Sequence, residues 1–148
     1  MSYLLDINVL IDAVHTASKR HRQVVDWLDS ALTGPPRTVG LPWHTILGFV
    51  RITSNAKVFD PPVPVSQAWD RVTEWLDQPA AWIPAPTDVH QERFGEFVDG
   101  FMLTSALVSD AHLAALAAEH GLVVVSADQG FARFAESGLV RWLDPMSA

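Results

Sequence analysis

Three aspartates far apart in the chain carry the residue types and surroundings for metal chemistry. Asp6 follows the apolar stretch Tyr3-Leu4-Leu5, Asp110 sits in Val108-Ser109-Asp110-Ala111-His112, and Asp128 follows Leu122-Val123-Val124-Val125 by a short turn. Carboxylates gathered at one point repel each other, and a protein tolerates that mainly when a cation sits among them. Oxygen-only ligands select hard ions such as Mg²⁺ or Mn²⁺, and with no cysteine in the chain no thiolate competes for zinc. Such a site suits phosphodiester hydrolysis, where the ion orients and acidifies a water and offsets charge in the transition state. Asn8 and Ser126 are spaced to orient Asp6 and Asp128 by hydrogen bonds.

Each aspartate alone has a plainer explanation. Asp6 could cap a helix, Asp110 could complement a helix dipole, and Asp128 in Ser126-Ala127-Asp128-Gln129-Gly130 could be a turn residue. What joins them is the topology implied by the elements around them. Hydrophobic spacing predicts a strand at 3–5, a helix from Asn8 to Val14, and a second helix carrying Val24, Leu28, Ala31 and Leu32 on one face. Gly34-Pro35-Pro36 stops that helix, and Thr38 to Leu41 reads as a strand. Pro42 suits the first turn of a helix from Trp43 to Ser54. After the proline-rich loop 59–64, Ser66 is expected to cap a helix with Val65, Trp69, Val72 and Leu76 on one stripe.

Trp82-Ile83-Pro84 is expected at a sheet edge, followed by a helix from Thr87 or Asp88 to Asp99 that buries Phe94, Phe97, Val98 and Phe101. The next helix, Asp110 to His120, is expected to be capped by Ser109 and to end at Gly121 in a left-handed conformation. The run Leu122 to Val125 reads as a strand covered on both faces, and Leu139 to Leu143 as a last strand after a short helix over 131–134. Alternating helices and strands mean a parallel α/β sheet, whose ligands bind beyond the carboxyl ends of the strands. Asp6 and Asp128 follow strands, and Asp110 opens a helix that runs opposite to the strand it feeds, so the start of that helix lies at the same edge. All three therefore converge on one rim.

These residues resemble the signature blocks of PIN domains. The blocks are Leu4-Leu5-Asp6-Ile7-Asn8-Val9-Leu10-Ile11, Val108 through Ala117, and Val124-Val125-Ser126-Ala127-Asp128-Gln129-Gly130-Phe131, in that order and spanning nearly the whole chain. More narrowly, the chain is similar to VapC-type toxins of bacterial toxin–antitoxin pairs. The resemblance implies a single domain over residues 1–148, folded as a three-layer α/β/α sandwich with a central, mostly parallel sheet. It also implies a Mg²⁺-dependent endoribonuclease that cuts transfer or ribosomal RNA, forms a homodimer, and is inhibited by a cognate VapB-type antitoxin. One departure stands out. PIN domains usually carry a glutamate in the stretch matched by Thr45-Ile46-Leu47-Gly48-Phe49, and here Ile46 holds its place. The alternative is thus a weak or inactive PIN domain that serves as a binding module.

Other features weigh less. Arg51 could face the rim and hold phosphate, and Lys19-Arg20-His21-Arg22 is the one dense basic patch. His112 reads as structural or exposed. Of the six tryptophans, Trp69 is expected in the core, with Trp43 and Trp75 as candidates for a dimer or antitoxin groove. A phosphatase of the haloacid-dehalogenase type would want an acid where Asn8 stands and a lysine better placed than Lys19 or Lys57. The net charge of −7 argues against a generally basic nucleic-acid-binding surface, although bound cations would offset part of it. With no signal-peptide pattern and no run of roughly eighteen apolar residues, the reading is a cytoplasmic protein with no membrane partner.

Overall fold

The computed structural model describes residues 1–148. Five short parallel strands, β1 (Tyr3–Leu5), β2 (Val39–Gly40), β3 (Ala81–Trp82), β4 (Val123–Val125) and β5 (Arg141–Leu143), form one sheet in the order β3-β2-β1-β4-β5. The central pairings align Tyr3 with Val39 on one side of β1 and Tyr3 with Val123 on the other. The sheet is parallel throughout, and its two central strands are the apolar ones.

Side chains alternate across a strand, so neighbouring residues feed opposite cores. Leu5 and Val125 point into one apolar cluster and Leu4 and Val124 into the other. The first cluster is closed by α1 (Ile7–Val14), α2 (His21–Leu32), α3 (Trp43–Thr53) and α4 (Val65–Leu76), through Leu10, Leu28, Phe49 and Val72. The second is closed by α5 (His90–Gly100), α6 (Val108–His120) and α7 (Phe131–Glu136), with Phe97, Leu116, Phe131 and Phe134 fully or almost fully buried. This is the expected three-layer sandwich.

That division of helices places the crevice. The connections leaving β1 and β2 pass over one face, and those leaving β3 and β4 pass over the other. The direction reverses between β1 and β4, where the helices diverge and open a cleft beyond the strand ends. Asp6 continues β1 there, its N–H donating to Val125 O at 3.0 Å, and Ser126 continues β4, donating to Leu143 O at 3.0 Å.

Close helix approach keeps this region tight. A Cβ on Gly48 of α3 would lie 2.2 Å from Cδ1 and 2.8 Å from Cγ1 of Ile7, so glycine lets α3 settle on the start of α1 with the Ile7 side chain left in place. Gly121 ends α6 with φ of 68°, as its sequence position suggests. Several boundaries differ from expectation. Pro64 and not Ser66 precedes α4, and its first turn carries no side-chain cap. α6 begins at Val108 after a 3₁₀ turn over Ser105–Leu107, so Ser109 and Asp110 lie inside its first turn. On α5 only Phe97 is fully buried, while Val98 faces solvent.

The stripe expected on α4 is rotated. Ala68, Val72 and Trp75 are buried, whereas Val65 and Trp69 are exposed. Both stripes share Val72 and both contain a tryptophan, so local pattern does not choose between them. Phe49 of α3 does: its ring meets Trp75 edge to face at 5.2 Å. Trp75 is therefore core and no groove residue, and Trp69 lies outside it, stacked on exposed Trp43 at 6.3 Å.

Candidate active site

Asp6 caps α1 and faces the crevice at once. Its Oδ1 accepts the Ile7 N–H at 2.7 Å, and its Oδ2 accepts from Ser126 Oγ at 2.7 Å and Asn8 Nδ2 at 3.2 Å. Ser126 Oγ in turn accepts the Asp128 N–H at 3.0 Å, and the Ala127 N–H donates to Asn8 Oδ1 at 3.0 Å. Asn8 and Ser126 thus tie the turn after β1 to the turn after β4. Asp128 Oδ1 also accepts the Gly130 N–H at 2.8 Å, which fixes the turn into α7.

Asp110 reaches the same place from the first turn of α6. A Cβ on Gly130 would lie 3.0 Å from Asp128 Oδ1 and 3.6 Å from Asp110 Oδ2, so both carboxyl groups crowd this glycine. Electrostatics report the same crowding. Burial, the hydrogen bond with Asp128 and the charges of Asp128 and Asp6 push the Asp110 carboxyl up to about 7. Burial also raises Asp6, helped by the charge of Asp128 and opposed by the Ser126 and Ile7 hydrogen bonds and by His44.

The three aspartates converge, but their carboxylates do not close into a cage of three or more ligands. The donors still suit a hard divalent cation. They are oxygen only, two are pushed toward protonation by burial and mutual repulsion, and a cation would relieve both.

Ile46 lies in the first apolar cluster with no exposed surface. No fourth carboxylate therefore comes from α3. What α3 supplies is His44, in its first turn, close enough to Asp6 to favour the ionised carboxylate. Sequence reasoning passed over His44, although the argument that placed Asp110 applies to it equally: it starts a helix that leaves a parallel strand.

Arg51 is not brought to the rim. It occupies the exposed last turn of α3, with no ion pair, about 10 Å along the helix axis from the end that borders the crevice. The basic patch is also partly consumed internally. Arg20 pairs with Asp12 and Asp144, and the His21 ring bonds to Asp12 O. His112 makes its contacts with His90 and His44, and not with the aspartates.

A three-layer α/β protein with a carboxylate site where the connections of its parallel sheet change direction is thus defined by fold and geometry together. Residues 3–137 match the PIN domain, and the chain belongs to that family. It is 40% identical over 142 residues to Ribonuclease VapC37 of Mycobacterium tuberculosis, covering 96% of each chain. It is 34% identical over 141 residues to Ribonuclease VapC33 of the same species, covering 95% of this chain and 96% of that one. Its fold is also that of VapBC-1 from nontypeable Haemophilus influenzae, at 11% identity with a TM-score of 0.68 over 99% of both chains. No helix is long and apolar enough to cross a membrane.

Proposed function

We propose that the chain is a divalent-metal-dependent endoribonuclease, the toxin of a VapBC-like pair. The observation that carries this reading is the meeting of Asp6, Asp110 and Asp128 at the crevice between β1 and β4. The named ribonucleases VapC37 and VapC33 support it, aligned over nearly the full length. Asp6, Asp110 and Asp128 would hold Mg²⁺ or Mn²⁺. The bound ion supplies charge neutralisation and a more acidic water for hydrolysis of the phosphodiester.

The protein's own part is orientation. Ser126 and Asn8 hold Asp6 Oδ2, and the Ile7 N–H holds Oδ1, so this carboxylate is fixed before any substrate arrives. Asp128 is held by the Gly130 N–H through Oδ1, beside Asp110. Asp110, poised near neutrality, loses its proton readily when positive charge approaches. The substrate is RNA, with transfer or ribosomal RNA as the target class, and the inhibitory partner is a VapB-type antitoxin. The working form is a homodimer.

Incubating total bacterial RNA with the purified protein and Mg²⁺, Mn²⁺ or EDTA, beside Asp6→Ala and Asp110→Ala, tests the reading. Discrete fragments, lost with EDTA and in both folded variants, are the expected result. Retained cleavage in either variant sinks the proposed site. No cleavage by the folded wild type with either metal points to an inactive PIN domain, with the apolar Ile46 as the cause.

A further inference from the structure

The carboxylates account for one side of the crevice, and the side toward β2 is histidine. Thr45 Oγ1 donates to Leu5 O at 2.6 Å, which pins the first turn of α3 to the residue before Asp6. His44 belongs to that turn. α3 covers one face of the sheet and α6 the other, yet the His44 and His112 rings meet edge to face with centroids 5.9 Å apart. Such a contact can form only beyond the carboxyl ends of the strands, so it bridges the two helix layers beside the acidic cluster.

Behind His112 runs a chain of hydrogen bonds. His112 Nδ1 bonds to His90 Nε2 at 3.1 Å, and His90 Nδ1 to Glu119 Oε1 at 2.8 Å. The Glu119 side chain has no exposed surface, and its Oε2 accepts from Thr87 Oγ1 at 2.9 Å. A carboxylate buried this completely persists only with its partners in place, so the His90 and His112 rings are held in one orientation. His44, at the crevice end, is half-buried and forms no hydrogen bond of its own within the protein.

A nucleic-acid strand crossing this edge sets a charge problem. The aspartates repel every phosphate that a metal ion does not neutralise, and the whole chain carries a net charge of −7. Arg51 stands at the far end of α3, and Arg20 is spent on Asp12 and Asp144. His44 is the donor at the rim that has no partner, and an imidazole keeps an N–H whether or not it is protonated.

We propose that His44 contacts the substrate, donating a ring N–H to a backbone phosphate of RNA laid across the crevice, with His112, His90 and Glu119 as positioning residues behind it. This rests on the ribonuclease reading and adds a recognition element that the carboxylates cannot supply.

The test is binding of a short, unstructured, fluorescein-labelled oligoribonucleotide in EDTA, followed by anisotropy, together with KM and kcat for its cleavage with Mg²⁺. His44→Ala should weaken binding and raise KM about tenfold, the loss of one hydrogen bond to a charged group, with kcat changed far less. His44→Gln, which keeps an N–H, should recover most of the affinity at an unchanged melting temperature. His112→Ala should weaken binding less, and the double variant His44→Ala/His112→Ala no further than His44→Ala alone, because His112 acts only through His44.

Unaltered binding and KM in His44→Ala, with the wild type cleaving, overturn this inference and leave the ribonuclease reading in place. Additive losses in the double variant overturn the positioning role. A wild type that neither binds nor cleaves overturns both readings.

Discussion

Replacing Asp110 with asparagine should stabilise the metal-free protein at alkaline pH. In the folded chain burial and the neighbouring Asp128 and Asp6 raise the Asp110 carboxyl from 3.8 to about 7. At about 1.4 kcal/mol per pH unit, that gap is worth about 4 kcal/mol, and because Asp110 is only partly buried, solvent screening reduces it to about 2 kcal/mol. The folded state holds this proton more tightly than the unfolded state does, so stability falls as pH rises from the unfolded value toward the folded one. The penalty is absent below 3.8 and complete above about 7. Asp110→Asn, which never ionises, should therefore match the wild type at about pH 4 and exceed it at about pH 8, by roughly 6 °C in melting temperature. Both proteins are melted in EDTA, followed by circular dichroism. Added Mg²⁺ should raise the wild type and narrow the gap, because the ion binds the folded carboxylates and not the unfolded chain. An equal melting temperature at alkaline pH, or an equal advantage at both pH values, would refute the claim that these carboxylates burden one another.

Three further perturbations probe the supports of the site. Ser126→Ala removes the hydroxyl that links Asp6 Oδ2 to the Asp128 N–H, and should weaken Mg²⁺ or Mn²⁺ binding about tenfold to a hundredfold in a calorimetric titration. Phe134→Ala opens a cavity among Phe97, Phe101 and Phe131, whose rings lie 5.1, 4.8 and 6.2 Å away, and should cost about 3–5 kcal/mol in urea unfolding. Gly48→Ala sets a methyl 2.2 Å from Ile7 Cδ1 and should cost about 1–3 kcal/mol, with cleavage falling as well because Ile7 adjoins Asp6.

The sequence by itself determined the layers and the rim. Apolar runs at 3–5 and 122–125 with helical periodicity between them leave few alternatives to a parallel sheet, and in such a sheet residues just after strands and just inside the following helices share one edge. Asp6, Asp110 and Asp128 could be gathered on that argument alone. The interrupted acidic pattern at Ile46 was equally legible, since an isoleucine cannot ligate an ion whatever surrounds it.

Tertiary structure decided what depends on a partner from another element. The two candidate stripes of α4 share Val72 and differ by less than one residue of rotation, and the packing of Phe49 on Trp75 marks the buried side, with Trp69 outside it. Arg20 looked free in its basic run because Asp144, which claims it, lies at the other end of the chain. Arg51 and His44 share a helix, but that helix has its first turn fixed to Leu5 O, which puts the histidine at the crevice and the arginine far from it. The bridge from His44 through His112 and His90 to Glu119 joins α3, α5 and α6. No local pattern encodes it, because its members meet only after both helix layers have packed on the sheet.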